Sequence, residues 1–281
     1  MHVRTSGTPV REALDGAATA FGAAGCESPR LDAELLLAHA LGVARERLLI
    51  DDLFVAGPAV RIFQDFVRRR SVQREPVAYI LGTRHFRHLE LVVDRRALIP
   101  RPETELLVEV GLALPRGARV LDVGTGSGAV ALALKDERPD LSVVGSDVSA
   151  DALALARVNG ERLGLHVRWL RAHLLDGIPN EFDALVSNPP YVREGERAAL
   201  APEILRHEPA SALFAGADGL DAIRPLVAQA GTRESLRLLA LEVGAGQAAE
   251  VGELMRAAGF AAVRAERDLA GIERVIVGKR V

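Results

Sequence analysis

The stretch VLDVGTGSGAVAL, residues 120–132, joins two apolar runs through three closely spaced glycines. The first run is typical of a buried strand, and the residues after the glycines have helical spacing. Gly124, Gly126 and Gly128 allow a tight turn and let a ligand approach the backbone. The helix that follows begins with backbone N–H groups that have no partner within the helix. The stretch therefore predicts a strand, a ligand-binding glycine loop and a helix.

An acidic residue follows the next apolar segment at the distance expected of a ribose-binding site. Asp147 comes directly after residues 141–146 and 21 residues after Gly126. Its carboxylate can accept hydrogen bonds from both ribose hydroxyls, which fits NAD and S-adenosylmethionine equally well. Asp122 favours the second interpretation, because dinucleotide folds usually keep an apolar residue two positions before the first glycine. Its carboxylate can reach the ammonium of a methionine moiety, orient the loop, or simply cap it.

The stretch ALVSNPPYVRE, residues 184–194, ends another apolar run on an amide, two prolines and a phenol. The prolines fix φ and remove two backbone donors, so residues 188–191 should form a stiff extended turn. Asn188 then lies at the carboxyl end of a strand, where open α/β sheets bind ligands. Its side-chain oxygen and the Pro189 carbonyl are two acceptors that match the two hydrogens of an –NH₂ group. Tyr191 offers a flat face to the planar group that carries this nitrogen.

This pattern suits methyl transfer to an amide or exocyclic amine nitrogen. Such a nitrogen is a weak nucleophile, and it becomes partly positive as the methyl group arrives. Acceptors aimed at its hydrogens stabilise that charge and point the nitrogen at the methyl donor. A sulfonium donor is already activated and the proton can leave after transfer, so neither a metal nor a strong base is expected. The sequence has no acid and histidine cluster at metal-ligand spacing and no G-x-S-x-G motif.

The composition of the 281-residue chain excludes several other classes of protein. Cys26 is the single cysteine, which excludes a disulfide framework and a cysteine-rich zinc site and fits a reducing cytoplasm. No secretory signal or transmembrane segment is expected. Residues 99–281 hold 21 basic and 26 acidic residues, a net charge of −5 that disfavours a nucleic-acid clamp. The run Arg68, Arg69, Arg70 suits a solvated helix end.

Periodicity divides the chain into two regions. Residues 9–25, 29–42 and 57–72 predict an N-terminal helical bundle, with no strand before about residue 85. Residues 86–98 predict a β-hairpin or short linker strands. Beyond residue 100, apolar strands alternate with helices, which predicts a doubly wound, mostly parallel α/β sheet whose last strands have no assigned direction. The strand candidates are residues 118–123, 141–146, 167–171, 183–187, 236–243 and 273–278, and the helix candidates are residues 128–136, 149–163, 218–230 and 246–258.

The glycine loop, Asp147 and the stretch FDALVSNPPYV together resemble class I S-adenosylmethionine-dependent methyltransferases with an Asn-Pro-Pro-Tyr motif. Three further stretches resemble the HemK/PrmC family of glutamine methyltransferases: REPVAYILGTRHF (74–86), LIPRPETELLVE (98–109) and HEPASALFAGADGLDAIR (207–224). The C-terminal stretches LEVGAGQAAEV and RDLAGIERVIVG fit the same family. Asn-Pro-Pro-Tyr alone is shared with adenine and cytosine amino-methyltransferases, so the I-P-R-P-E-T-E stretch and the helical N-terminus distinguish this family.

The resemblance implies a Rossmann-like class I methyltransferase domain over residues 100–281. It also implies a helical substrate-recognition domain over residues 1–84 and a hairpin linker over residues 85–99. The implied reaction moves a methyl group from S-adenosylmethionine to N5 of the glutamine in the Gly-Gly-Gln loop of class-1 peptide-chain release factors. The implied enzyme is a cytoplasmic monomer that contacts neither membrane nor nucleic acid directly.

The resemblance also assigns roles to individual residues. Catalysis is assigned to Asn188, Pro189 and Tyr191, which bind the substrate together with Pro190. The segment 100–105 is placed near the active site, where Arg101 and Glu103 either serve the site or pair with each other. No metal ligand is implied. Cofactor binding is assigned to Asp122, Gly124, Thr125, Gly126, Ser127, Gly128, Asp147, Val148, His173 and Asn188.

One departure from the family pattern concerns the adenine end of the predicted site. The family often has Gly-Asp or Asp-Trp after the third strand, whereas this chain has Ala172 and His173 there. His173 can bond the adenine, stack on it, or merely occupy a loop. Trp169, within the strand, is interpreted as a core residue.

Three alternatives to release-factor methylation stay open. A sister enzyme would methylate a glutamine of a ribosomal protein with the same chemistry. A nucleic-acid amino-methyltransferase would need a basic or aromatic recognition surface. An NAD-dependent dehydrogenase or a non-catalytic adenosine-binding module would leave residues 188–191 without a purpose.

Overall fold

The computed structural model describes residues 7–50 and 52–280. The chain forms two compact units. The helical unit comprises the residues up to Gly82 together with Ala201–His207, and the sheet unit comprises the rest, beginning at Thr83. The sequence did not predict that a segment beyond residue 200 belongs to the helical unit. Within the described residues, no helix is both long and apolar enough to cross a membrane.

The helical unit is built from amphipathic helices that bury their apolar faces in one core. Leu14, Phe21 and Leu36 are fully buried there. The second helix begins at Pro29, whose fixed φ suits the first helical position, and it is capped by Gly42 in the left-handed region. The helices are α1 (Val10–Ala23), α2 (Pro29–Leu41), α3 (Arg47–Ile50), α4 (Pro58–Ser71) and α5 (Val77–Leu81), joined by the later segment Pro202–His207.

Two short strands contradict the expectation that no strand precedes residue 85. β1 (Thr8–Pro9) pairs in the antiparallel direction with β2 (Phe54–Val55). Each strand has only two residues. Alternation needs at least four residues to be recognised, so the sequence carries no signal for this pair.

A buried ion network joins the helices of this unit. Arg70, 6% exposed, donates to Asp32 Oδ2 at 2.7 Å and to Glu203 Oε1 at 3.2 Å. Arg74 donates to the other Glu203 oxygen. The expectation that the run 68–70 lies on a solvated helix end is therefore wrong for Arg70. Helical spacing turns this position toward the acids of the core, while Arg68 pairs with Asp65 at the surface.

The sheet unit contains a two-stranded hairpin and a seven-stranded sheet. The hairpin strands are β3 (Thr83–Phe86) and β4 (Leu89–Val92). The sheet strands are β5 (Arg119–Val123), β6 (Ser142–Asp147), β7 (Arg168–Arg171), β8 (Ala184–Ser187), β9 (Leu238–Glu242), β10 (Ala262–Arg267) and β11 (Glu273–Lys279). The longer helices are α6 (Glu105–Leu112), α7 (Ala129–Glu137), α8 (Ala150–Leu163), α10 (Ile223–Gly231) and α11 (Ala248–Ala257); α9 is the segment Pro202–His207 of the helical unit.

The strand order is β10-β11-β9-β8-β5-β6-β7. The five strands from β9 to β7 are parallel, and β11 pairs in the antiparallel direction with both β9 and β10. The predicted α/β class with a mostly parallel sheet is confirmed. Of the last two strands, β11 runs opposite to its two neighbours, and β10 therefore runs in the same direction as β9. The predicted hairpin is present and lies slightly earlier in the chain than residues 86–98.

The six predicted sheet strands agree with the structure to within two residues at each end. β10 was not predicted because its sequence AVRAER contains a single large apolar residue, Val263, and three charged residues. α6 was also missed, since it follows directly on a proline-rich segment. The helix predicted over 218–230 begins only at Ile223, because residues before it form a turn.

Parallel pairing decides where the polar side chains of the sheet unit meet. Val123, the last residue of β5, lies opposite Ser146 of β6 on one side and Ser187 of β8 on the other. β9 runs beside β8 in the same direction and ends at Glu242. The glycine loop, Asp147, the Asn-Pro-Pro-Tyr turn and Glu242 therefore share the carboxyl edge of the sheet.

We predict that Glu203→Gln destabilises the helical unit strongly. The change leaves the buried guanidinium group of Arg74 without a negative partner and that of Arg70 with Asp32 alone, which should lower the free energy of unfolding by about 3 kcal/mol. Asp65→Asn, which removes the exposed pair with Arg68, should cost about 0.5 kcal/mol or less. Urea unfolding of the two variants checks this. Equal losses in both would show that the buried network does not stabilise the unit.

Candidate active site

The glycine loop connects β5 to α7 through three left-handed positions. Gly124, Gly126 and Gly128 have φ values of 70°, 57° and 85°, which side-chain-bearing residues rarely adopt. Gly128 also lies against an aromatic ring, since a Cβ there would meet Trp169 Cη2 at 2.9 Å. Trp169 is therefore packed behind the loop; it is half-buried and is not a full core residue as predicted. The loop's shape thus depends on glycine for both backbone conformation and packing.

Asp122, in β5, binds both the glycine loop and the start of α7. It is 2% exposed, and its Oδ2 accepts hydrogen bonds from Thr125 Oγ1 at 2.6 Å and from the Ala131 backbone N–H at 3.2 Å. Burial raises the pKa of Asp122 to about 7, although these two donors oppose the shift. The loop-orienting role that the sequence suggested for Asp122 is therefore present in the structure.

Asp147 ends β6 beside the loop. Its Oδ2 accepts from the Gly126 N–H at 3.0 Å and its Oδ1 from the Ser149 N–H at 2.9 Å. Burial raises the pKa of Asp147, and the backbone donors counteract this. Each carboxylate oxygen keeps further acceptor capacity, so the group is held in place while it can still bind hydroxyl donors.

A cavity of about 300 Å³ opens between the glycine loop and the Asn-Pro-Pro-Tyr turn. Its walls include most of the residues that the sequence assigned to cofactor and substrate: Asp122, Gly124, Thr125, Gly126, Ser127, Asp147, Val148, His173, Asn188, Pro189 and Pro190. Gly128 and Tyr191 do not line it. Gly128 lies behind the loop against Trp169, and the hydroxyl of Tyr191 points to Glu242.

His173 lies at the wall of this cavity and is largely exposed. Its Nδ1 is 3.4 Å from Asp176 Oδ2, a long contact that fixes the ring only weakly. Val148, on the neighbouring segment, is 55% exposed. The two side chains offer a flat surface and an apolar surface at the wall of the cavity, which Asp147 also lines. Which of them contacts a ligand stays a prediction.

Asn188 and Pro189, in the turn after β8, line the cavity, and each carries an acceptor oxygen. Asn188 Nδ2 donates to Thr104 Oγ1 at 3.1 Å. Within residues 7–50 and 52–280, Asn188 Oδ1 and the Pro189 carbonyl oxygen receive no hydrogen bond from the protein. Both oxygens therefore remain able to accept from a ligand; that they bind a substrate amide stays a prediction.

A buried glutamate stands behind this turn and was not predicted. Glu242 is 1% exposed, and its two oxygens accept from Thr104 Oγ1 at 2.7 Å and from the Tyr191 hydroxyl at 3.2 Å. Burial raises the pKa of Glu242 to about 7. An acid inside the apolar run LRLLALEV was the available signal, because carboxylates are rarely buried without a partner.

Gln247 supports the backbone of the same turn. It is 4% exposed, and its Nε2 donates to the carbonyl oxygens of Tyr191 at 3.1 Å and Asp218 at 3.2 Å. Its Oε1 accepts from the Gly244 N–H at 2.8 Å. The position of Tyr191 is thus fixed at its backbone and at its hydroxyl.

The segment 100–105 reaches the site through Thr104. The alternative that Arg101 pairs with Glu103 is not what the structure shows. Arg101 donates to Glu208 Oε1 at 2.6 Å, and the second Glu208 oxygen accepts from the Ile99 N–H at 3.2 Å. Glu208 lies more than a hundred positions away in the chain, so sequence spacing gave no hint of this partner.

Comparison with known proteins gives this arrangement a family. The model described as the PrmC N-terminal domain matches residues 12–82, and the Methyltransferase small domain matches residues 102–216. A release factor glutamine methyltransferase of Rhodospirillum rubrum is 41% identical over 95% of this chain and 84% of its own. One of Deinococcus radiodurans is 41% identical over 96% of this chain and 98% of its own. The chain belongs to the release factor glutamine methyltransferase family.

The fold is shared more widely than the family. The structure of the T. thermophilus 16S rRNA methyltransferase RsmC, in complex with AdoMet and guanosine, superposes with a TM-score of 0.52. The two chains are 20% identical, over 71% of this chain and 50% of that one. A methyltransferase of Pyrococcus furiosus superposes with a TM-score of 0.51, is 18% identical and covers 68% of this chain and 89% of its own. At this identity the likeness supports the class I methyltransferase fold alone.

We predict that Asp122 makes the stability of the protein depend on pH. Its pKa is higher in the folded state than the ordinary 3.8, so the folded state loses stability as pH rises from 3.8 to about 7, and the loss is complete above that. In Asp122→Asn this loss is absent, because the side chain does not ionise. Between pH 5 and pH 8 the variant should gain about 2 to 3 kcal/mol relative to wild type. Unfolding free energies at both values check this, and a pH-independent difference would contradict it.

Proposed function

We propose that this protein transfers a methyl group from S-adenosylmethionine to N5 of the glutamine in the Gly-Gly-Gln motif of class-1 peptide-chain release factors. The observation that carries the proposal is the pair of acceptors, Asn188 Oδ1 and the Pro189 carbonyl, beside a cavity that meets a glycine loop. The names of the relatives support the substrate. The pair of acceptors supports the chemistry independently, because it matches the two hydrogens of a side-chain amide.

The cavity has the groups that S-adenosylmethionine needs. Asp147 is fixed by two backbone N–H groups and can accept from ribose hydroxyls. The loop of glycines at positive φ allows close approach of the methionine part, with Asp122 beneath it. Val148 and His173, which line the cavity, would cover the adenine. When bound, the cofactor supplies an activated methyl group on sulfur.

The residues of the turn would prepare the glutamine nitrogen for this methyl group. Asn188 Oδ1 and the Pro189 carbonyl accept its two hydrogens and so hold its position. As positive charge develops on the nitrogen, these fixed acceptors stabilise it, and they need no reorganisation. Pro190, at the wall of the cavity, would lie along the planar amide, while Tyr191 would support the turn from outside that wall. Burial raises the pKa of Tyr191, so its hydroxyl stays neutral and donates to Glu242.

The helical unit is assigned to recognition of the protein substrate. A Gly-Gly-Gln loop is small compared with a release factor, so contacts outside the cavity are needed to select one protein among many. The enzyme is further proposed to act as a cytoplasmic monomer without direct nucleic-acid contact. The net charge of −5 over residues 99–281 supports the last point.

The decisive experiment is transfer of tritiated methyl groups from S-adenosylmethionine to a purified release factor. Its Gly-Gly-Gln→Gly-Gly-Ala variant is the matched control. Label on the first and none on the second supports reaction, substrate and target residue together. Label on neither, with S-adenosylhomocysteine still bound, would reject the release factor and turn attention to ribosomal proteins and nucleic acids. Tight binding of NAD without binding of S-adenosylhomocysteine would reject the cofactor.

We predict opposite defects for two substitutions at the site. Asn188→Ala removes one acceptor for the substrate nitrogen and should lower kcat about 100-fold or more, while S-adenosylhomocysteine binding weakens only modestly. Asp147→Ala removes the ribose acceptor and should weaken S-adenosylhomocysteine binding about tenfold or more. Calorimetric titration and single-turnover kinetics check both. Full activity of Asn188→Ala, or an unchanged dissociation constant for Asp147→Ala, would contradict the assignment concerned.

A further inference from the structure

The hydrogen bonds around Glu242 have a direction that follows from the chemistry of the groups. An ionised carboxylate only accepts hydrogen bonds. The Thr104 hydroxyl lies 2.7 Å from Glu242 Oε2, so its single hydrogen is committed to that oxygen. Toward Asn188 Nδ2, 3.1 Å away, Thr104 Oγ1 can then only accept. Asn188 must therefore direct its –NH₂ toward Thr104 and keep its oxygen for another donor.

This direction matters because the two ends of an asparagine amide have nearly the same shape. They differ in that one end accepts hydrogen bonds and the other donates them. If the Asn188 amide were reversed, its –NH₂ would meet the –NH₂ of the substrate, and two donors would face each other. Close packing alone does not discriminate between the two orientations, whereas a carboxylate two hydrogen bonds away does.

We propose that Glu242 is a positioning residue for methyl transfer, which acts through Thr104 to hold the Asn188 amide with its oxygen toward the substrate nitrogen. The inference rests on the proposed function for the identity of the substrate. The second oxygen of Glu242 accepts from the Tyr191 hydroxyl at 3.2 Å, so one carboxylate fixes two residues of the turn. Three elements meet in this way: β9, the turn after β8, and the segment before α6.

Protonation of Glu242 removes the constraint. A neutral carboxyl can donate its proton to Thr104, which frees the Thr104 hydrogen for Asn188 and allows the amide to reverse. The charges facing Glu242 oppose each other: Glu103 raises its pKa and Arg274 lowers it, while Thr104 and Tyr191 donate to it. Burial outweighs the lowering contributions, and the pKa is about 7. Activity should therefore fall as pH drops below about 7.

The first test uses two substitutions of Thr104 and measures kcat and KM for release-factor methylation. Thr104→Val removes the hydroxyl with little change of shape and should lower kcat about 100-fold, with KM little changed. Thr104→Ser keeps the hydroxyl and should remain within about threefold of wild type. Thr232→Val, at a surface threonine that bonds the Gln229 carbonyl, controls for the loss of a threonine hydroxyl elsewhere. Equal kcat in wild type and Thr104→Val would overturn the proposal.

The second test is the pH profile of Glu242→Gln. Glutamine Oε1 can accept from Thr104 while Nε2 donates to the Tyr191 oxygen, so this neutral side chain keeps the direction of the bonds. At pH 8 its kcat should lie within about threefold of wild type. From pH 8 to pH 6, kcat of wild type should fall about tenfold, and that of Glu242→Gln should not. Asp122, whose pKa is also about 7, is present in both proteins. An acid limb that persists unchanged in Glu242→Gln would overturn the inference.

A measurement without substrate separates failure of the inference from failure of the proposed function. The side-chain –NH₂ signals of Asn188 can be followed by ¹⁵N NMR and assigned by their loss in Asn188→Ala. In wild type they should shift with a midpoint near pH 7, and in Thr104→Val and Glu242→Gln that midpoint should be absent. This result supports the relay even if no release factor is labelled. Signals that do not respond to pH in wild type reject the relay even if the release factor is labelled.

Discussion

In the sheet, β5 is hydrogen-bonded in the parallel direction to β6 on one side and to β8 on the other. All other features of the site depend on this pairing. Parallel strands that start at one edge end together at the opposite edge, so the residues after each strand are brought to one place. Asp147 is the last residue of β6, and the Asn-Pro-Pro-Tyr turn comes directly after β8. Glu242 is the last residue of β9, which lies beside β8. The polar groups are therefore carried at the ends of hydrogen-bonded strands, which suits a site for oriented transfer.

Two buried acids support the two halves of this site in different ways. Asp122 accepts from Thr125 and Ala131, which lie within nine positions of it along the chain. Glu242 accepts from Thr104 and Tyr191, which are 138 and 51 positions away. Each acid has a raised pKa because burial disfavours its charge. Each retains its donors because a buried carboxylate without them would cost several kcal/mol. The first acid shapes the cofactor loop, and the second connects separate elements behind the substrate turn.

The failed predictions for Arg70 and Arg101 share a physical cause. Arg70 lies in a run of arginines at a helix end, yet helical geometry places it against Asp32, and the later segment supplies Glu203. Arg101 similarly pairs with Glu208 and not with its neighbour in sequence. Ion pairs of this kind depend on which elements pack together, and periodicity within one element does not contain that information. The failure to predict β10 has a different cause, because its sequence contains only one large apolar residue.

The sequence by itself determined the local parts of this protein: the strand, glycine loop and helix of residues 120–132, the acid after the next strand, and the stiff turn at residues 188–191. These parts depend on backbone conformation and on short spacings, which glycine, proline and apolar periodicity specify directly. The tertiary structure alone decided that Thr104 and Glu242 stand behind Asn188. That contact joins residues 138 positions apart, and its direction depends on the single hydrogen of a hydroxyl next to a carboxylate. No local pattern encodes it, because it exists only once three separate elements have packed together.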